Sequence, residues 1–156
     1  METIKLSFDT GIRDVEVNNY GDVIKINTTD AGLFDRFVRL TTELQELSDK
    51  SNKDFNSAMS GQKEDKTEAV ISASKVRVEF SNECVRRIEE LLGEGVIKKV
   101  FRDCYEADPD YLPDEGNLLA FLEALIPVME ELFKERFSKL QNKYGVGFKG
   151  KRTRKK

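Results

Sequence analysis

The sequence predicts an α+β fold that is mostly α: a small N-terminal antiparallel β-meander of about three strands, then three long helices plus a short helix, then a disordered basic C-terminal tail. Three observations carry this. Apolar and polar residues alternate through the first thirty positions, the period of a half-buried strand. From about residue 30 the apolar spacing changes to steps of three and four, the period of an amphipathic helix. Residues 143–156 then hold seven Lys or Arg and no acid.

The strand signals are three short runs: Ile4, Leu6 and Phe8; Val15 and Val17; Ile24 and Ile26. "DTGIR" at 9–13 and "NNYGD" at 18–22 are turn-rich connectors between them. So small a sheet must lay its apolar face on something else to be stable.

At "NTTDAGLFDRF" the period changes, and Thr28, Thr29 or Asp30 can cap the free amides of a first helix. Its stripe is Leu33, Phe37, Leu40, Leu44 and Leu47, widened by Phe34 and Val38, and it thins through Phe55 and Met59 before Ser60 and Gly61. A second helix is expected from Thr67 to Leu92, with heptad-spaced Ile71, Val78, Val85 and Leu92 on its inner face and Val70, Ala73, Phe80, Cys84, Ile88 and Leu91 filling that face out. The two read as an antiparallel pair whose polar tip, near residues 48–66, is mobile or projects from the body. "GEG" at 93–95 stops the second helix, and Val96, Ile97, Val100 and Phe101 make a short amphipathic helix. After "EADPDYLPDEGN", the last helix is expected over residues 117–143, with Leu118, Leu122, Leu125, Met129, Leu132 and Leu140 on one stripe and Pro127 kinking it. Residues 1–145 therefore read as one domain, with a β part over 1–29 and a helical part over 30–145, and 146–156 as a flexible basic tail.

The net charge of −3 hides an asymmetry. The tail, counted from Lys143, sums to +7, which leaves 19 bases against 29 acids and −10 for residues 1–142. An acidic body argues against DNA lying on it, since phosphates would be repelled. Histidine is absent, which removes the commonest general base near neutral pH and the commonest transition-metal ligand. No Ser, Cys or carboxylate constellation stands in its place, so the expectation is no enzyme, no cofactor and no metal. Two cysteines, Cys84 and Cys104, do not make a secreted disulfide scaffold, and no apolar run approaches a membrane span, so a cytoplasmic setting is expected.

Gly145, Gly147 and Gly150 fall at the spacing of a dinucleotide fingerprint, and with Lys151 come near a P-loop. Both motifs need a strand before the glycines and a helix after them. Here a helix precedes and six residues follow Gly150, so the glycines read as an exit from the helix. The acidic cluster Asp108, Asp110, Asp114 and Glu115 fails as a calcium loop, because Leu112 and Pro113 occupy the positions that need a ligand and a glycine; a turn and a helix cap fit better. The tail "KGKRTRKK" leaves a second reading open, a nucleic-acid-binding or regulatory protein acting through these residues.

Three stretches together resemble the tail assembly chaperones of long-tailed (siphovirus-type) phages and prophages of Gram-positive bacteria. They are "VNNYGDVIKINTTDAGLFDRFVRL" at 17–40, "RRIEELLGEGVIKKVF" at 86–101 and "LLAFLEALIPVMEELFKERFSKLQNKYG" at 118–145. The resemblance implies a non-enzymatic protein of the host bacterial cytoplasm that binds helical segments of the tape measure protein and assists tail tube assembly. It names the tape measure protein and the tail tube protein as partners and leaves a homo-oligomer open. Candidate partner-binding residues in the matched stretches are Phe34, Phe37, Val100, Phe101, Phe133 and Phe137.

Overall fold

The computed structural model describes residues 2–60 and 65–145. The expected basic tail, 146–156, lies outside the described residues, as does the centre of the polar tip, 61–64. The architecture is α+β and mostly α, a two-stranded antiparallel sheet set against three long helices.

Strands β1 (Ile12–Glu16) and β2 (Val23–Asn27) pair in the register Arg13 with Ile26 and Val15 with Ile24. Asn18 holds the turn between them: its side-chain oxygen accepts from the amides of Tyr20 and Asp22, and its Nδ2 donates to Asp22 and to the Lys99 carbonyl. Ile24 and Ile26 go into the core. The expected third strand is absent among the described residues. Ile4, Leu6 and Phe8 alternate as a strand should, but they are 93%, 81% and 69% exposed and pair with nothing described. The cause lies at the next residues. The Gly11 carbonyl accepts from the Thr28 amide and hydroxyl, and the Thr29 hydroxyl donates to the Thr10 carbonyl. Residues 10 and 11 thus prolong β1 in line alongside Thr28 and Thr29, and the chain before them leads away from the hairpin instead of folding back on it.

Helix α1 (Leu33–Ser60) begins where the Asp30 side chain accepts from the Gly32 amide and pairs with Arg36 at 2.6 Å. Its inner stripe is Leu33, Phe37, Leu40 and Leu44, as the spacing predicts, continued by Ser48 and Ser51; Val38 faces water. Helix α2 (Lys66–Leu92) is capped by Asp65, which accepts from the Thr67 amide. Its buried face is Ala69, Ala73, Phe80, Ser81, Cys84, Ile88 and Leu92. The expected heptad frame is therefore corrected: Ile71 and Val78 are 51% and 45% exposed. At 3.6 residues per turn a straight helix drifts against a strict seven-residue repeat, and the broader three-four spacing through the largest side chain, Phe80, sets the inner face. Contacts Glu43–Arg87 and Asn52–Arg77 run in opposite senses along the two helices, so the pair is antiparallel.

Gly93, at φ 118°, ends α2 in a conformation that other residues rarely adopt. The expected single short helix is two, α3 (Val96–Val100) and α4 (Arg102–Ala107), broken at Phe101, whose backbone at ψ 35° leaves the helical region. Glu89 of α2 accepts from the Ile97 amide at 3.1 Å and so supplies the cap that Gly95 lacks.

Helix α5 (Glu115–Leu140) is capped by Asp114, which accepts from the Asn117 amide at 2.8 Å; one π-helical turn, Gln141–Gly145, follows. Pro127 lies within it and faces water. Leu118, Leu122, Leu125, Met129 and Phe133 are buried, while Leu140, expected on the same stripe, is 38% exposed. Glu115 meets Ser48 and Arg77, and Phe133 meets Phe34, so α5 runs antiparallel to α1 along its first half only. The hairpin beyond Ser48 and Arg77 stands past the end of α5. Among the described residues no helix is long and apolar enough to cross a membrane.

Candidate partner-binding surface

The six candidate residues fall in three places. Phe37, 1% exposed, sits in the centre of the core, where it packs the hairpin and offers no surface. Phe34, Phe133 and Phe137 form a row from α1 across α5, with ring centroids 5.6 Å and 6.0 Å apart. Phe133 at its middle is buried, Phe34 is half-buried, and Phe137 is 52% exposed, so one ring of the row reaches solvent. Leu140 and Tyr144 continue that exposed end.

Val100 and Phe101 lie elsewhere, on the wall of a groove of about 380 Å³. Its other walls are Val15 and Val17 of the sheet and Ala120, Phe121, Ala124 and Val128 of α5. Phe101 is held there by Tyr111, 6.4 Å between centroids, which in turn meets the edge of Tyr105. Small residues at 120 and 124 let the groove exist, since a larger side chain at either would fill it.

Two surfaces escaped the reading of the sequence. On α2, Val70 and Ile71 point outward on the part of the hairpin that passes α5, and Val78 points outward just inside that boundary, flanked by Lys75 and Glu79. The heptad spacing flagged these residues, and taking that spacing as core hid them. The groove wall on α5 escaped because that helix is apolar nearly all round, so periodicity could not tell two used faces from one. An excess of apolar residues over what one stripe needs was the available signal.

Charged clefts are self-neutralised. Between α1 and α2 a cleft of about 410 Å³ is lined by Arg36, Arg39, Arg86 and Arg87 with Glu43 and Glu90. Arg39 pairs with Asp35, Arg86 with Glu83 and Glu90, and Arg87 with Glu83 and Glu43, so each guanidinium already faces a carboxylate. Glu83, bonded first by Arg86 and then by Arg87, is held down to about 2. At the sheet, Arg102 stacks over the Tyr20 ring and pairs with Asp22 at 2.9 Å, tying the β-turn to α4. Cys84 is buried, and burial pushes its thiol up to about 12, far from the thiolate that nucleophilic chemistry uses. Asp108, Asp110 and Asp114 serve turns and a cap: Asp108 accepts from the Asp110 amide, and Asp114 opens α5. Among the described residues no cluster of Cys, Asp and Glu is placed to hold a metal ion.

No family model matches the chain, and no curated protein or solved structure matches it.

Proposed function

We propose that this chain is a non-enzymatic phage tail assembly chaperone, which binds helical segments of the tape measure protein in the host bacterial cytoplasm while tail tube subunits assemble. The reading rests on the resemblance of the stretches at 17–40, 86–101 and 118–145. One observation supports it above others: the outward row Val70, Ile71 and Val78 on helical spacing, which runs along α2 from beside the start of α5 onto the part that projects past it. An amphipathic partner helix recognises another helix through apolar anchors at such intervals, with charged neighbours at the rim keeping the complex in solution. Lys75 and Glu79 occupy that rim.

Co-expression with a tape measure protein of a long-tailed phage of Gram-positive bacteria tests the reading. The expected result is that the partner stays soluble and co-purifies, and that Ile71→Asp with Val78→Asp weakens capture at least tenfold while the thermal midpoint holds. A partner that stays soluble without this chain, or is captured equally by the double variant, overturns it. Removing residues 146–156 should leave capture unchanged. Salt-sensitive DNA or RNA binding that vanishes with those residues would favour the nucleic-acid reading instead.

A further inference from the structure

The N-terminal arm is an uncovered apolar segment, and an apolar groove lies beside β1. In the arm, residues 3–8, Ile4, Leu6 and Phe8 alternate in sequence with Lys5 and Ser7, the pattern of a strand that buries one face. None of the three apolar side chains is covered. The groove is apolar, walled by Val15, Val17, Phe101, Phe121 and Val128, and floored by small residues of α5. It lies against β1, which among the described residues is paired on one side only. An unpaired strand edge beside an apolar trough is the receptor for an added strand, with backbone groups giving the pairing and alternate side chains entering the trough.

The arm does not lie in its own groove: none of residues 3–8 lines it, and Ile4, Leu6 and Phe8 stay exposed. Thr10 and Gly11 are pinned alongside Thr28 and Thr29, and a side chain on Gly11 would meet Thr29 Cγ2 at 2.3 Å, so this crossing is tight. Asp9, held down to about 2 chiefly by Arg13 and next by the Gly11 amide, fixes the same bend from outside. We propose that residues 3–8 of one copy seat in the groove beside β1 of a second copy, so that copies of this chain associate by exchanging arms. Arm and groove are present on every copy, and each is left unmatched among the described residues of its own chain. Reciprocal exchange closes a pair, and one-way exchange builds a longer row.

Sedimentation of the full chain tests this against two variants, one lacking residues 2–8 and one carrying Ala124→Glu. Arm and Ala124 are both exposed, so neither change touches the core, and an unchanged thermal midpoint separates lost association from lost folding. The full chain is expected at multiples of 17.9 kDa and each variant at the mass of a single copy. In a Cys104→Ser background, a Leu6→Cys chain mixed with a mass-tagged Ala124→Cys chain should oxidise to a species containing one of each. A full chain that stays at one copy up to its solubility limit overturns the proposal, whether its groove then takes its own arm or a foreign segment. So does association that survives loss of the arm, or a mixture that yields no linked pair. Tape measure capture uses the α2 row, so its failure or success leaves this result standing on its own.

Discussion

The first half of the α1–α2 hairpin and its second half are continuous helix, yet they are held by different contacts. Near the sheet, Leu33, Phe37, Leu40 and Leu44 meet Phe80, Cys84, Ile88 and Leu92, with α5 closing the third side through Leu118, Leu122, Leu125 and Met129. Past Ser48 the inner residues shrink to Ser51, Ala69 and Ala73, and the larger apolar ones, Val70 and Ile71, turn outward. Two helices alone bury a narrow seam, whereas three enclose a volume. Where α5 ends, large side chains lose their third wall, and small ones let two backbones close up. What looks like a single hairpin is a core segment joined to an extension whose apolar residues are available to something else.

The largest expected effect comes from cutting each half at one residue. Phe37→Ala empties a fully enclosed site and should destabilise by about 3–5 kcal/mol. Ile71→Ala removes a similar amount of apolar surface from an exposed position and should stay within about 0.5 kcal/mol. Urea unfolding followed by circular dichroism measures both. Comparable losses would mean that the α2 row is covered in the monomer, which would erase the distinction between the halves.

This contrast also marks how far the sequence could be read. The long helices were legible because they have local causes: Asp114 or Asn117 can cap, Gly93 stops, and the Leu33–Phe37–Leu40–Leu44 spacing admits one face; the break at Phe101 has no such local signal. The inner face of α2 was not legible, since Val70, Ile71 and Val78 satisfy apolar periodicity as well as Phe80 and Cys84 do. Only the length of α5 decides which set finds a third wall, and that is a fact about the tertiary arrangement. The β-signal of Ile4, Leu6 and Phe8 was similarly genuine as a pattern and silent about its partner. A strand's alternation says that one face wants cover, not which chain provides it. Of the candidate contact residues, Phe137 reaches solvent while Phe37 and Phe133 are core, because aromatic size favours both roles equally.

A smaller effect is expected at the joint between the halves. Glu115 accepts from Arg77 Nη1 at 2.7 Å and from the Ser48 hydroxyl, and Arg77 also donates to Asn52 while covering the Phe55 ring at 4.1 Å. One carboxylate at the start of α5 thus fastens α5 to both helices where its apolar cover runs out. Glu115→Ala leaves a buried Ser48 hydroxyl without its acceptor and should cost about 1–3 kcal/mol. Glu115→Gln keeps an acceptor and should lose less. A double cycle with Arg77→Ala should show coupling, since the two side chains share one contact. Additive losses would show that the joint is held by apolar packing alone and that the polar cluster merely decorates it.

The smallest effect should carry the opposite sign. Ser51 lies one turn beyond the joint, its hydroxyl buried and without a partner among the described residues. An unmet hydroxyl in such a seam opposes folding, and Ser is a weaker helix former than Ala. Ser51→Ala keeps the close approach of α1 and α2 and should stabilise by up to about 1 kcal/mol, whereas Ser48→Ala, which removes a donor that Glu115 uses, should destabilise by about 1 kcal/mol. The two residues are three positions apart on the same face, and only the polar joint distinguishes them. If both changes destabilise alike, the seam past α5 is polar throughout and the small residues there serve bonding. Opposite signs mean that they serve closeness, which keeps the extension straight and leaves Val70, Ile71 and Val78 facing out.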